Sequence, residues 1–115
     1  MTQATIVPIP SDRIHDWDSF HRVFQEALGF PGFYGCNMDA WIDCMTYVDD
    51  PDAGLSSITV AKGDLLILRV DNADELQRRC PEQYQALLEC TAFVNHRRDK
   101  PGQSPVLALM LSGYF

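Results

Sequence analysis

The last apolar run constrains this chain more than any other feature. Val106-Leu107-Ala108-Leu109-Met110-Leu111 has no polar residue in it, and six residues are far too few to cross a membrane. A run of this length reads as a strand buried on both faces, as in a parallel sheet covered by helices. Two more strand segments precede it. Ile6-Val7-Pro8-Ile9 is short and bounded by prolines, which suits the edge of a sheet because proline cannot donate to a central ladder. Leu65 to Val70 is the stronger strand.

The segments between these strands carry helical periodicity. Trp17, Phe20, Phe24, Ala27 and Leu28 recur on one helical face after a cap at Asp16 or Asp18, and Gly29 followed by Pro31 ends the helix. Asn37 caps a second helix whose Met38, Trp41, Ile42 and Met45 form the inward stripe. Asp39 and Asp43 lie about 100° to 140° around from Met38. They share a face with Thr46, with Ile42 beside them, and that face is expected to be exposed. Asp71 is positioned to cap a short helix over Ala73 to Arg79. Pro81 opens a longer helix with Tyr84, Leu87, Leu88, Thr91 and Val94 facing inward and Arg97 and Arg98 at its C-terminal dipole. In the turn-rich stretch 48–63, Ile58-Thr59-Val60 is expected to add a short extra strand that turns at Lys62-Gly63 into Leu65 to Val70. The order is strand, two helices, strand, two helices, strand, which predicts an α/β fold with a mostly parallel sheet and right-handed crossovers. The length of 115 residues fits one domain over 1–115.

Charge is unevenly distributed. Sixteen acids against nine bases give a formal charge of −7, which opposes binding to a phosphate backbone or an anionic membrane and favours a basic partner. Residues 1–64 hold ten acids and three bases, whereas residues 65–115 hold six of each. No Lys or Arg occurs between Arg22 and Lys62, where Glu26, Asp39, Asp43, Asp49, Asp50 and Asp52 fall. Such a block reads as an interaction surface or as a solvated loop. Cys36, Cys44, Cys80 and Cys90 form no Cys-x-x-Cys pair, and the first residues carry no basic segment followed by a long apolar one. These features predict a cytoplasmic chain with reduced, structural thiols.

Motifs for catalysis are sparse. His15, Asp16, Asp18 and His21 do not share one helix face, and His96 belongs to a helix end. No phosphate-binding glycine loop, nucleophile elbow or zinc-protease motif occurs. Asp39 and Asp43 can hold a divalent ion or serve as acid and base only if a pocket and further ligands surround them.

The segment Phe30-Pro31-Gly32-Phe33-Tyr34-Gly35-Cys36-Asn37-Met38-Asp39-Ala40-Trp41-Ile42-Asp43-Cys44-Met45-Thr46 resembles the signature of the barstar family, intracellular inhibitors of the ribonuclease barnase. The match falls on Pro31, Tyr34, Gly35, Asn37, Asp39, Ala40, Asp43, Cys44 and Thr46. The resemblance implies a three-stranded parallel sheet packed by about four helices. It also implies a bacterial immunity protein, with no enzymatic activity and no cofactor, whose second helix and preceding loop plug a nuclease active site. Carried over by position, Asp43 is the central phosphate mimic and Asp39 the second anion. Asn37 and Thr46 are polar contacts, Phe33 is an aromatic contact, and Ile42 lies in the contact surface. Phe33, Ile42 and Cys36 stand where the family has tyrosine, tryptophan and glutamate, and the stretch after Tyr47 is longer and richer in aspartate. A later acidic contact falls on Glu82 or Glu89. The implied partner is a basic ribonuclease or related nuclease toxin, bound by a chain that is a monomer when free, with no nucleic acid or membrane bound directly. A barstar-fold regulator without nuclease inhibition and a small divalent-metal hydrolase using Asp39 and Asp43 are the alternative readings.

Overall fold

A computed structural model describes residues 2–115. The elements are β1 (Ala4–Pro8), α1 (Trp17–Leu28), α2 (Met38–Thr46), β2 (Leu65–Val70), α3 (Ala73–Arg79), α4 (Pro81–Arg97) and β3 (Leu107–Leu111), with 3-10 turns at Ser11–Arg13 and Pro51–Ala53. The three strands form one parallel sheet in the order β1-β2-β3. Both crossovers therefore step the same way across the sheet, and right-handed connections of that kind place their helices on one face. Burial follows: Leu66, Leu68 and Val70 of β2 are fully buried while the alternate Leu65, Ile67 and Arg69 are only half-buried.

This geometry corrects the reading of β3. Only one strand of three can be central, and it is β2; β3 is an edge strand on a sheet with one open face, so Met110 is 41% exposed despite the apolar run. β1 is the edge strand its prolines indicated. Ile58-Thr59-Val60 do not form the extra strand. The N–H groups of Ser57 and Ile58 donate to the Leu28 carbonyl at 3.0 and 3.2 Å, and that of Val60 donates to the Val48 carbonyl at 3.1 Å. The segment satisfies its backbone on the ends of α1 and α2, which leaves no ladder for β2.

α1 begins at a capping box. The Asp16 carboxylate accepts the Ser19 N–H at 2.8 Å, and Ser19 Oγ accepts the Asp16 N–H at 3.0 Å. It ends at Gly29, whose φ of +67° gives the left-handed turn and whose missing Cβ admits the Ser57 side chain. The N-cap position of α3 falls on Asn72, in a left-handed conformation and with no side-chain capping bond, and not on Asp71, whose carboxylate faces Arg69 at 3.6 Å. The core lies between the covered sheet face and the helices, with Phe20, Phe24, Leu28, Trp41, Met45, Leu76 and Leu87 buried. Each such side chain contributes about 1.5–3 kcal/mol on burial. No helix among the described residues is long and apolar enough to cross a membrane.

Candidate functional site

The acidic helix is held in place from both ends and from below. At its start, the Asn37 side-chain oxygen accepts the Ala40 N–H at 2.8 Å and its amide donates to the Gly35 carbonyl at 3.2 Å. The expected polar contact at Asn37 is thus also the N-cap that fixes α2 to its loop. Beneath the helix, Trp41 is fully buried against Phe24, with ring centroids 5.7 Å apart in an edge-to-face arrangement. Anchoring Trp41 and Met45 in the core turns positions 39 and 43 outward.

The loop before α2 has its own anchor, which the sequence did not reveal. His21 of α1 is 3% exposed, and its Nδ1 is hydrogen-bonded to the Tyr34 hydroxyl at 2.6 Å. Burial pushes the His21 pKa below its ordinary value and raises that of Tyr34. Trp17, His21, Cys36, Asn37 and Met38 line a small pocket of about 250 Å³ beside this anchor. Cys36, with φ of +53°, is exposed at the bend leading into the helix. With Tyr34 fastened inward, Phe33 projects outward and is 78% exposed.

Asp39 is exposed and has no ion pair among the described residues. Asp43 is exposed but not alone: its Oδ1 accepts Arg97 Nη1 at 3.0 Å. Ile42 is half-buried and packs against the core from the same helix. Thr46 departs from expectation. It is 7% exposed, and its hydroxyl donates to the Ile42 carbonyl at 2.6 Å inside α2. The i−4 bond turns the side chain away from solvent and spends its donor within the helix. The structure therefore brings Asp39, Asp43 and Phe33 to the surface and withdraws Thr46.

Both later acids lie on α4, and Glu89 is exposed. Burial raises the Cys90 pKa first, and the charges of Glu89 and Asp39 add to the rise. Glu82 is exposed two helical turns earlier on α4. Cys44, buried under α2, has its pKa pushed up to about 11 chiefly by burial, so it is a packed and unreactive thiol.

The acidic block of the sequence is partly neutralised in space. Glu26 pairs with Arg13 at 3.4 Å, Asp43 with Arg97, and Asp49 with Arg98 at 2.6 Å. The last pair is interior: Arg98 and Asp49 are 4% and 7% exposed. Asp49 is consequently a structural residue and not part of an acidic loop surface. Arg98 also donates to the Thr46 carbonyl at 2.8 Å and the Ser104 carbonyl at 2.7 Å, which ties the end of α2 to the end of α4. Neither pairing could be read from local patterns, since Arg97 and Arg98 already had a sufficient reason to stand at a helix C-terminus.

The arrangement offers two outward carboxylates and a projecting aromatic on one rigid helix-loop unit. A carboxylate can accept a guanidinium in the way a phosphate does. Among the described residues no group of three or more His, Cys, Asp or Glu is placed to hold a metal ion, so Asp39 and Asp43 lack the further ligands that the hydrolase alternative requires. A pocket of about 660 Å³ lies elsewhere, at the C-terminal ends of β1 and β2, with Arg69, Arg79, Asp12, Asp71 and Glu75 in its lining. Over residues 4–109, nearly the whole chain, the sequence matches the family described as Barstar (barnase inhibitor). No curated protein matches it.

Proposed function

We propose, since the chain belongs to the barstar family, that it is an immunity protein that occupies the active site of a basic ribonuclease toxin with α2 and the loop before it. Asp43 stands in for the central substrate phosphate and Asp39 for a second anion, each meeting cationic groups that otherwise grip RNA. Phe33 packs at the mouth of the site, Ile42 adds apolar contact, and the Asn37 amide flanks them. Glu89, whose charge acts on Cys90 together with that of Asp39, is favoured over Glu82 as the additional acidic contact. The observation that carries this reading is the joint exposure of Asp39 and Asp43 on a helix whose cap and loop anchor are hydrogen-bonded internally and whose Trp41 is packed in the core. A surface held rigid before binding loses little entropy on association. The remaining negative charge accelerates encounter with a basic enzyme, an effect that weakens with salt.

The test is inhibition of RNA cleavage by barnase and by small basic ribonuclease toxins, followed with a fluorogenic RNA. Wild-type protein is expected to inhibit at least one of them stoichiometrically, with Asp43→Ala losing most potency, Asp39→Ala the next most and Glu82→Ala least. Undiminished inhibition by Asp43→Ala would remove the mechanism. Binding of some other protein through α2, without inhibition of any nuclease, would favour the regulator alternative.

A further inference from the structure

The two edges of the sheet are not alike. In β1 the ladder to β2 is fixed by Leu65 N–H donating to the Gln3 carbonyl and Ile9 N–H donating to the Arg69 carbonyl, both at 2.9 Å. The outward backbone groups of β1 therefore belong to Ala4, Ile6 and Pro8. Pro8 has no N–H to offer, which blunts that edge. In β3 the ladder is fixed by Leu66 N–H donating to the Val106 carbonyl at 2.8 Å and Ser112 N–H donating to the Val70 carbonyl at 3.2 Å. Leu107, Leu109 and Leu111 thus direct their backbone groups outward.

Leu107 is already satisfied. Asn95 of α4 reaches the edge, accepting Val106 N–H at 3.0 Å and Leu107 N–H at 3.1 Å and donating to the Leu107 carbonyl at 3.0 Å. The N–H and C=O groups of Leu109 and Leu111 have no partner among the described residues. No lysine, proline or bulge guards them, and the fifteen residues after Lys100 contain no charged side chain. This is the kind of edge that accepts another strand.

We infer that β3 is a self-association edge, pairing antiparallel with β3 of a second copy about a two-fold axis through Met110. In that register Leu109 faces Leu111 of the other copy and Leu111 faces its Leu109. The four free groups on each strand are then all used, in four N–H···O=C bonds, and Asn95 stops the pairing from extending past Leu107. A shift that centres the axis on Leu109 sets Leu111 against the occupied Leu107 and leaves groups unpaired. Met110 meets its symmetry mate as a non-hydrogen-bonded pair, with Cα atoms about 4.5 Å apart. The net charge of −7 opposes association in general, but no side chain at this edge contributes to it. The contact is small beside a standard interface, so the dimer is weak and concentration-dependent, and the chain is a monomer when dilute. α2 takes no part in it, and the inference is independent of the nuclease reading.

Sedimentation velocity on the full chain, from about 10 μM to about 1 mM, tests it. Wild-type mass is expected to rise with concentration toward twice the monomer value. Met110→Lys, on the open face where the fold tolerates a polar side chain, places two like charges side by side and is expected to weaken dimerisation roughly fivefold or more. Met110→Cys is expected to give a 110–110 interchain disulfide on mild oxidation, identified by mass spectrometry of tryptic fragments, because the non-hydrogen-bonded spacing suits a disulfide. A constant monomer mass at the highest concentration overturns the inference. So does a dimer that persists in Met110→Lys and yields no 110–110 bridge. Binding of a synthetic peptide of residues 106–112 by a chain that stays monomeric also overturns it, since the edge then takes a free strand and not a second folded copy.

Discussion

Replacing Asp49 by alanine should damage this protein more than replacing any other acid, although a linear map of charge gives no hint of it. Its carboxylate receives both terminal nitrogens of Arg98, at 2.6 and 3.1 Å, with the two residues 7% and 4% exposed. Asp49→Ala leaves the guanidinium buried, still held by the Thr46 and Ser104 carbonyls but with no counter-charge. Breaking such a pair from one side costs about 3–5 kcal/mol, whereas an exposed pair is worth under about 1 kcal/mol. Against a total stability of roughly 5–15 kcal/mol, the loss is about a fifth or more of the whole. Urea unfolding followed by fluorescence of the buried Trp41 is the assay, and the midpoint should fall by about 2 M with an unchanged slope. The double variant Asp49→Ala/Arg98→Met should be less unstable than Asp49→Ala alone, because it removes the stranded charge as well. A loss under about 1 kcal/mol for Asp49→Ala, or a double variant as poor as the sum of the singles, would refute the reasoning.

Three other outcomes can be checked directly. Thr46→Ala should lower stability but leave inhibition by the folded protein nearly unchanged, as its hydroxyl is bonded within α2; a large loss of potency at constant stability would restore Thr46 to the contact surface. His21 has a folded pKa below its ordinary 6.5, so the unfolded chain takes up a proton that the folded chain refuses. Its stabilising effect is complete above about pH 6.5 and declines as the pH falls below it. Thermal unfolding across that window should show a decline that is smaller in His21→Asn, and identical slopes would count against the assignment. Gly29→Ala should cost more than about 1 kcal/mol, since the left-handed φ and the Ser57 side chain both oppose a Cβ.

What the sequence made legible was local. The α1 boundaries, the Asn37 cap and the Trp41 anchor all rest on spacings within one element, and a carboxylate pair opposite a core stripe must face outward. Centrality in the sheet was not legible, because an apolar strand looks the same at an edge as in the middle until the strand order is known; hence β3. Ile58-Thr59-Val60 has strand-like composition, but carbonyls at the ends of α1 and α2 take the N–H groups of Ile58 and Val60. The largest blind spot concerned charge. Arg97 and Arg98 lie about fifty residues from Asp43 and Asp49, and no local pattern couples them. Thr46 failed for a subtler reason: a helical wheel fixes the direction of a Cβ, but not whether a hydroxyl turns back on its own helix.

The long segment between α2 and β2 shows where this protein can be rewritten. In the flank before its turn, the Val48 carbonyl accepts the Val60 N–H and Asp49 pairs with Arg98; in the flank after it, Ser56, Ser57 and Ile58 donate to carbonyls at the end of α1. Between the flanks, Pro51–Ala53 and Gly54 form a surface turn in which no residue is buried and Gly54 meets nothing that a Cβ would strike. Foreign sequence placed there is insulated from the helices by a clasp the chain already makes. A fluorophore or affinity tag at Asp52 should therefore leave the packing of both helices as it is.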